Sequence, residues 1–276
     1  MEIELADHMG FCYGVKRAIN LARHQAGKDS RVVTLGPIIH NPQMVQQLAD
    51  EGILSIDDFD EIDSGTVIIR SHGVGPAVYK KAAAKGLNII DATCPHVKKA
   101  QMAAKSLVDE GYEVVIIGEK THPEVKSIFE WAGENAVIIE DEVQARQFHF
   151  VKKLGIVAQT TFSGNKFKQL VNIFIDKSND IKVLRTICTA TEQRQSAAEK
   201  LAANVDMMII IGGKNSANTT RLADLCSKKC ITHHIETADE LDVEWFHNIA
   251  KIGVTAGAST PDWLIREVYI KCKNKI

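Results

Sequence analysis

The sequence offers no candidate for a membrane segment. No run approaches the roughly 18 consecutive apolar residues that a span requires. It has no charge excess of either sign: 33 Lys and Arg stand against 35 Asp and Glu, a formal net charge of -2. That excludes a general basic footprint for nucleic acid or an anionic membrane. The start, Met-Glu-Ile-Glu-Leu, lacks a basic segment, an apolar signal core and an Arg-rich transit pattern, so a cytoplasmic protein is expected. None of the six cysteines, Cys12, Cys94, Cys188, Cys226, Cys230 and Cys272, forms a C-x-x-C pair. A zinc ribbon, a thioredoxin-type motif and clustered ferredoxin spacing are therefore disfavoured, and in a cytoplasmic chain a disulfide framework is too. Any cysteine-bound group has to be assembled from distant parts of the chain. No Pro/Gly/Ser-rich linker interrupts the sequence, so domain boundaries are expected at turns. The apolar share of 45% and charged share of 25% are those of an ordinary globular protein. A length of 276 residues exceeds what one core usually serves.

What the chain does have is an internal repeat. Cys12, Cys94 and Cys188 are each followed, 24 residues on, by a glycine: Gly36, Gly118 and Gly212. Each interval holds a helical apolar period and then a short apolar strand. The periods are Val15, Ala18, Ile19 and Ala22; Val97, Ala100, Ala104 and Leu107; and Ala197, Ala198, Leu201 and Ala202. The strands are Val32 to Leu35, Val114 to Ile117 and Met208 to Ile211. Four residues after each glycine comes His40, His122 or Ser216; two further on, the second and third copies carry Glu124 and Asn218. A helix and a second strand follow, ending at Ser71-His72-Gly73, Thr160-Thr161 and Gly257-Ala258-Ser259. A further strand leads into the next cysteine, and Glu2 to Leu5 looks like the lead-in to Cys12.

Alternating short strands and amphipathic helices mean parallel β-α-β units. The expected fold is α/β: three similar small domains with mainly parallel sheets, spanning 1–92, 93–187 and 188–276, in a pseudo-threefold arrangement around a central cluster. Ligands sit beyond the C-terminal ends of strands in such sheets. Cys12, Cys94 and Cys188 are thus expected to converge, ringed by histidine, hydroxyl and carboxylate positions.

Three thiolates at one point suit a soft metal. A [4Fe-4S] cluster normally takes four, so three leave one iron open as a Lewis acid. Zinc with Cys₃ is the rival, weakly disfavoured because no H-E-x-x-H pattern accompanies it. His40, His72, His122, Ser216, Asn218 and Ser259 make donors outnumber acceptors, and an oxygen-rich anion such as a phosphate or diphosphate fits them. Glu124 is the one carboxylate among them and can supply a proton to a leaving hydroxide, with Thr160 relaying or orienting it.

Gly10-Phe-Cys12-Tyr-Gly-Val, Arg70-Ser-His72-Gly-Val, Asp91-Ala-Thr-Cys94-Pro, His122-Pro-Glu124-Val, Gln159-Thr160-Thr161, Thr186-Ile-Cys188, Gly212-Gly-Lys-Asn215-Ser216 and Thr255-Ala-Gly-Ala-Ser259 resemble, over essentially the whole chain, the motifs of the 4-hydroxy-3-methylbut-2-enyl diphosphate reductases. These are iron-sulfur enzymes of the last step of the non-mevalonate isoprenoid pathway. The resemblance implies one [4Fe-4S] cluster per chain on Cys12, Cys94 and Cys188. It implies substrate binding by His40, His72, His122, Thr160, Ser216, Ala217, Asn218 and Ser259, and catalysis by Glu124 and Thr160. It further implies an allylic diphosphate substrate converted to isopentenyl and dimethylallyl diphosphate, with two electrons from flavodoxin or ferredoxin. A monomer without nucleic-acid or membrane partners is expected. Ala217 stands where some members have a second serine, so a phosphate contact there is expected from its backbone N–H.

Plainer readings are kept for the rest. Cys226, Cys230 and Cys272 are expected to be inert buried thiols, the first two on one helix at one-turn spacing. His8, His24, His149, His233, His234 and His247 are expected at the solvated surface, and His96 at the surface or just outside the site. Glu124 itself could be only a first-turn carboxylate at a helix start. A [4Fe-4S] hydro-lyase, a quinolinate-synthase-like enzyme and an iron-sulfur redox sensor are the alternative functions. A sensor needs no ring of anion donors, and a dehydratase needs no reductant.

Overall fold

The computed structural model describes residues 1–29, 31–133 and 135–274. In chain order the strands are β1 (Glu2–Leu5), β2 (Val32–Leu35), β3 (Leu54–Ile56), β4 (Thr66–Ile69), β5 (Asn88–Asp91), β6 (Glu113–Ile117), β7 (Ala136–Ile139), β8 (Val151–Ala158), β9 (Ser178–Val183), β10 (Met207–Ile211), β11 (Ile231–Ile235) and β12 (Lys251–Ala256). The helices are α1 (Tyr13–Ala26), α2 (Pro42–Asp50), α3 (Pro76–Ala84), α4 (Pro95–Asp109), α5 (Pro123–Ala132), α6 (Glu142–Gln147), α7 (Gly164–Phe174), α8 (Thr189–Ala202), α9 (Ala217–Cys226) and α10 (Asp262–Asn274).

Two compact units divide the chain. The first comprises Met1–Lys16, Ile39–Gln47 and Thr189–Ile276, the second Arg17–Ile38 and Leu48–Cys188. The first unit holds a four-stranded sheet in the order β1-β12-β10-β11. The second holds two, β3-β2-β4-β5 and β7-β6-β8-β9. All pairings are parallel. The three orders are one order: an edge strand, the strand ending at the repeat glycine, the second strand, then the lead-in to a cysteine. In the first unit that last place is taken by β1, whose Ile3 faces Ile252. Residues 1–92 therefore contribute strands to two sheets, because the lead-in strand pairs with the repeat before it. The edge strands β3, β7 and β11 did not figure in the sequence reading.

Parallel sheets covered on both faces need near-continuous apolar strands, and β6 and β10 show why. In β6, Val115 and Ile117 face Phe167, Leu170 and Phe174 of α7, while Val114 and Ile116 face Ala100, Ala104 and Leu107 of α4 and Val125 and Ile128 of α5. In β10, Ile209 and Ile211 pack with Leu264 and Val268 of α10, while Met208 and Ile210 pack with Ala198 and Leu201 of α8 and Leu222 of α9. The alanine ten residues after each cysteine, Ala22, Ala104 or Ala198, is fully buried. A larger side chain there would have to displace a neighbour in a close-packed core. Each fully buried Leu or Ile in these layers contributes roughly 1.5–3 kcal/mol. No helix among the described residues is long and apolar enough to cross a membrane.

Candidate active site

The polar residues lie where the strands stop. At each repeat glycine the backbone N–H donates to the last carbonyl of the edge strand: Gly36 to Ile56 at 2.7 Å, Gly118 to Ile139 at 3.1 Å and Gly212 to Ile235 at 2.9 Å. The chain then leaves the sheet and starts a helix that carries the next functional side chains.

All three cysteines share one local structure. Cys12, Cys94 and Cys188 each immediately precede a helix, α1, α4 or α8, of 14 or 15 residues. The N–H of each donates to a carbonyl two residues past the end of a neighbouring strand. Cys12 bonds Ala258 O at 3.1 Å in the first unit. In the second, Cys94 bonds Ser71 O and Cys188 bonds Thr160 O, both at 2.9 Å. A helix N-terminus favours negative charge, the state in which a thiol binds metal. None of the three is in a disulfide, and all three are of intermediate exposure.

The other cysteines contrast with these. Cys226 is fully buried, and burial pushes its thiol up to about 12. Cys272 is fully buried as well. Cys230 is only partly buried and does not share α9 with Cys226: the helix ends at Cys226, and Cys230 sits in the following turn.

In the second unit, Glu124 lies in the first turn of α5 and is 2% exposed. The helix start accounts for its position but not for its partners. Its Oε1 accepts the Thr160 N–H at 2.6 Å, and its Oε2 contacts Thr160 Oγ1 at 2.9 Å. An N–H can only donate, so Oε1 is held as an acceptor. A hydroxyl can donate or accept, so the Oε2 to Oγ1 contact can carry a proton either way. His122 caps α5, its Nδ1 accepting the Glu124 N–H at 3.2 Å, and its ring meets that of His72 edge-on at 5.5 Å. Ser127 Oγ lies within bonding distance of His72 O and Glu124 O, at 3.1 and 2.9 Å, and takes the Gln101 amide at 3.0 Å. A continuous set of bonds thus runs from the Cys188 peptide through Thr160, Glu124 and Ser127 to the His72 loop.

The first unit gathers the neutral donors. Ser216 caps α9, which begins Ala217-Asn218-Thr219. The opening N–H groups of a helix have no intrahelical acceptor, so the Ala217 N–H is of the kind that binds anions. Asn218 is 4% exposed, and neither its amide oxygen nor its nitrogen has a hydrogen-bond partner among the described residues. The same holds for the fully buried Thr219 hydroxyl. Burying such groups unpaired costs about 1–3 kcal/mol each, a cost that a polar ligand removes. Ser259 Oγ donates to His40 O at 2.9 Å. A Cβ on Gly257 would lie 2.0 Å from Thr219 Oγ1, and Gly212 takes φ +141° against Thr260 and Thr219. Both positions therefore need glycine.

His40, Ser216, Ala217, Asn218 and Ser259 accordingly lie in the first unit with Cys12. His72, His122, Glu124 and Thr160 lie in the second with Cys94 and Cys188. His8, His24, His96, His149 and His247 are exposed as expected. Two histidines differ. His234 is on β11 and bonds Gly212 O through Nε2 at 2.8 Å, and His233 stacks on Trp245 at 3.8 Å. The first repeat also differs in detail: α2 is capped by Asn41, whose Oδ1 accepts the Met44 N–H at 2.8 Å, not by His40. Ser127, Gln101, Thr219 and His234 escaped the sequence reading. Only Ser127, one helical turn after Glu124, carried a spacing signal.

The class defined is thus a parallel α/β protein with three repeated cysteine-to-helix junctions and two sets of buried polar groups at strand ends. The chain is an enzyme of the LytB family, whose model, described as LytB protein, matches residues 3–273. It is 48% identical over 269 residues to the 4-hydroxy-3-methylbut-2-enyl diphosphate reductase of Pelobacter propionicus, covering 97% of this chain and 96% of that one. With the reductase of the same name from Geobacter sulfurreducens it shares 50% over 269 residues, 97% and 95% of the two chains. A solved structure of (E)-4-hydroxy-3-methyl-but-2-enyl diphosphate reductase, described as the terminal enzyme of the non-mevalonate pathway, matches with a TM-score of 0.72 at 43% identity over 99% of this chain and 100% of that one. The E-1-hydroxy-2-methyl-but-2-enyl-4-diphosphate reductase of Plasmodium falciparum matches with a TM-score of 0.93 at 30% identity, covering 98% and 87%.

Proposed function

We propose that this chain reduces (E)-4-hydroxy-3-methylbut-2-enyl diphosphate to isopentenyl and dimethylallyl diphosphate, the last step of the non-mevalonate route to isoprenoid precursors. The observation that carries the reading is the threefold recurrence of a cysteine outside any disulfide at a helix N-terminus, its peptide held by an equivalent strand-end carbonyl. It is joined by relatives of that name at about half identity over 97% of the chain. The proposed functional units are the three repeats, 1–92, 93–187 and 188–276, each giving one cysteine.

The donor set fits one [4Fe-4S] cluster: three cysteines outside any disulfide at helix starts, where negative charge is favoured, and no fourth repeat-equivalent cysteine in the sequence. Cys12, Cys94 and Cys188 would hold it. When bound, it supplies single electrons and an open iron acting as a Lewis acid on the substrate oxygen. The overall change consumes two electrons and two protons. The C–OH bond breaks, a C–H bond forms, and one water leaves.

The residues of the chain supply the rest. Ser216, Asn218, Ser259, the Ala217 N–H and the three histidines His40, His72 and His122 hold the diphosphate through charge-assisted bonds. Glu124 delivers one proton toward the leaving hydroxyl, and Thr160, bonded to it through both N–H and Oγ1, orients the carboxyl and relays the proton. The electrons come from a small carrier, flavodoxin or ferredoxin. The protein works as a cytoplasmic monomer.

Metal analysis of anaerobically prepared protein tests the reading. A single cubane demands about four iron and four acid-labile sulfide per chain. Stoichiometric zinc in place of iron would overturn it.

A further inference from the structure

The cysteine junctions need their approach loops fixed, and two arginines sit where they can do it. α1 starts directly after Cys12, and Arg17 on it reaches the loop that leads to Cys94. Its Nη1 donates to Thr93 O at 3.2 Å and its Nη2 to Asp91 O at 3.3 Å. α8 starts directly after Cys188, and Arg194 on it reaches the loop that leads to Cys12. Its Nε and Nη2 both donate to Gly10 O, at 3.2 and 2.7 Å, while Nη1 donates to Ala190 O at 2.9 Å. In both cases a guanidinium from the helix after one cysteine grips carbonyls one to three residues before another.

The gripped backbones are specific. Gly10 takes φ +70°, and a Cβ there would stand 2.9 Å from Ile265 Cδ1, so the turn is fixed and its carbonyl is left to be satisfied by Arg194. Arg194 is 7% exposed, which makes its bonds hard to replace with water. The Cys94 loop is tied from the other side as well. The Asp91 carboxylate takes the Thr93 N–H at 2.9 Å and the Lys98 ammonium at 2.8 Å. The third approach loop uses a different device: the Thr186 hydroxyl bonds both the N–H and the carbonyl of Ala158.

We propose that Arg17 and Arg194 are positioning residues for the metal-binding thiols: they hold the Cys94 and Cys12 loops so that those cysteines are presented to the cluster in a fixed geometry. The inference rests on the cluster reading above. A planar fork spans two carbonyls, or places two N–H groups on one, in a fixed geometry that the compact lysine ammonium does not reproduce, so lysine is an incomplete substitute. Loss of outer-shell support at metal sites typically costs 10–100-fold in metal affinity.

The test is the rate at which anaerobic, cluster-loaded protein releases iron to a chelator. Arg17→Gln and Arg194→Gln should release it about 10–100-fold faster than wild type, with Arg17→Lys and Arg194→Lys in between. Arg23→Gln, on the outer face of α1 and paired with Glu51 at the surface, should match wild type. Thermal melting of the metal-free proteins separates positioning from folding. The Arg17 variants should melt with the Arg23→Gln control, which keeps the test open should the more buried Arg194 fail to fold without its guanidinium. A loaded wild type with both Gln variants releasing iron at its rate overturns this inference alone. So does faster release that merely tracks lost metal-free stability. A wild type that takes up no iron overturns it together with the reading beneath it.

Discussion

Glu124→Gln should lower kcat by about 10²–10⁴-fold, the range that a positioned proton donor supplies, with KM unchanged within a few-fold and iron content intact. The substitution keeps shape and volume in a side chain that is 2% exposed. The amide oxygen can still accept the Thr160 N–H, so α5 and the strand-end loop stay tied. What is lost is the ionisable oxygen beside Thr160 Oγ1. An amide nitrogen there donates to the hydroxyl and cannot pass a proton along. Steady-state kinetics with a saturating reductant checks this. Normal turnover would reduce Glu124 to a helix-start carboxylate, and a raised KM with unchanged kcat would assign it to binding.

Cys94→Ser should strip most of the iron from the anaerobically prepared protein and abolish turnover, while the fold survives. Serine is among the preferred residues at the position before a helix, and the 2.9 Å bond from the residue 94 N–H to Ser71 O belongs to the backbone. Loss of metal therefore cannot be laid to loss of structure, which far-UV circular dichroism can confirm. Cys226→Ala is the matched control. Its thiol is fully buried, held in the neutral form by burial and packed among apolar residues of α8, α9 and β10. It should cost on the order of 1 kcal/mol of stability and keep wild-type iron. Equal iron in the two variants would break the assignment of Cys94 as a ligand.

Much of this was legible in the sequence because repetition supplied what periodicity alone does not. The 24-residue interval located the helices after Cys12, Cys94 and Cys188 and the strands ending at Gly36, Gly118 and Gly212, and the buried alanines follow from it. The edge strands stayed hidden for physical reasons. β3 is three residues long, and β11 reads Ile-Thr-His-His-Ile, with two histidines breaking the alternation. An edge strand pairs on one side only and can be built from less apolar sequence. With β11 concealed, the sequence places His234, which holds the Gly212 carbonyl, at the solvated surface. The pairing of β1 with β12, across almost the whole chain, leaves no local trace. Among the site residues, Glu124 stands out in the sequence because its sister repeats lack it. Its pairing with Thr160 could not be read from spacing, since 36 residues and several elements separate them. Arg17 and Arg194 fall five and six residues after their cysteines, an offset that the strict repeat conceals.

Reductive removal of an allylic hydroxyl is the proposed reaction of this chain. The most direct test is anaerobic turnover of (E)-4-hydroxy-3-methylbut-2-enyl diphosphate, with and without a low-potential reductant, on a sample whose iron content is known. Formation of both isopentenyl and dimethylallyl diphosphate, strictly dependent on the reductant and proportional to iron, is the predicted result. Conversion at the same rate without reductant, or no conversion by fully iron-loaded protein, would contradict it.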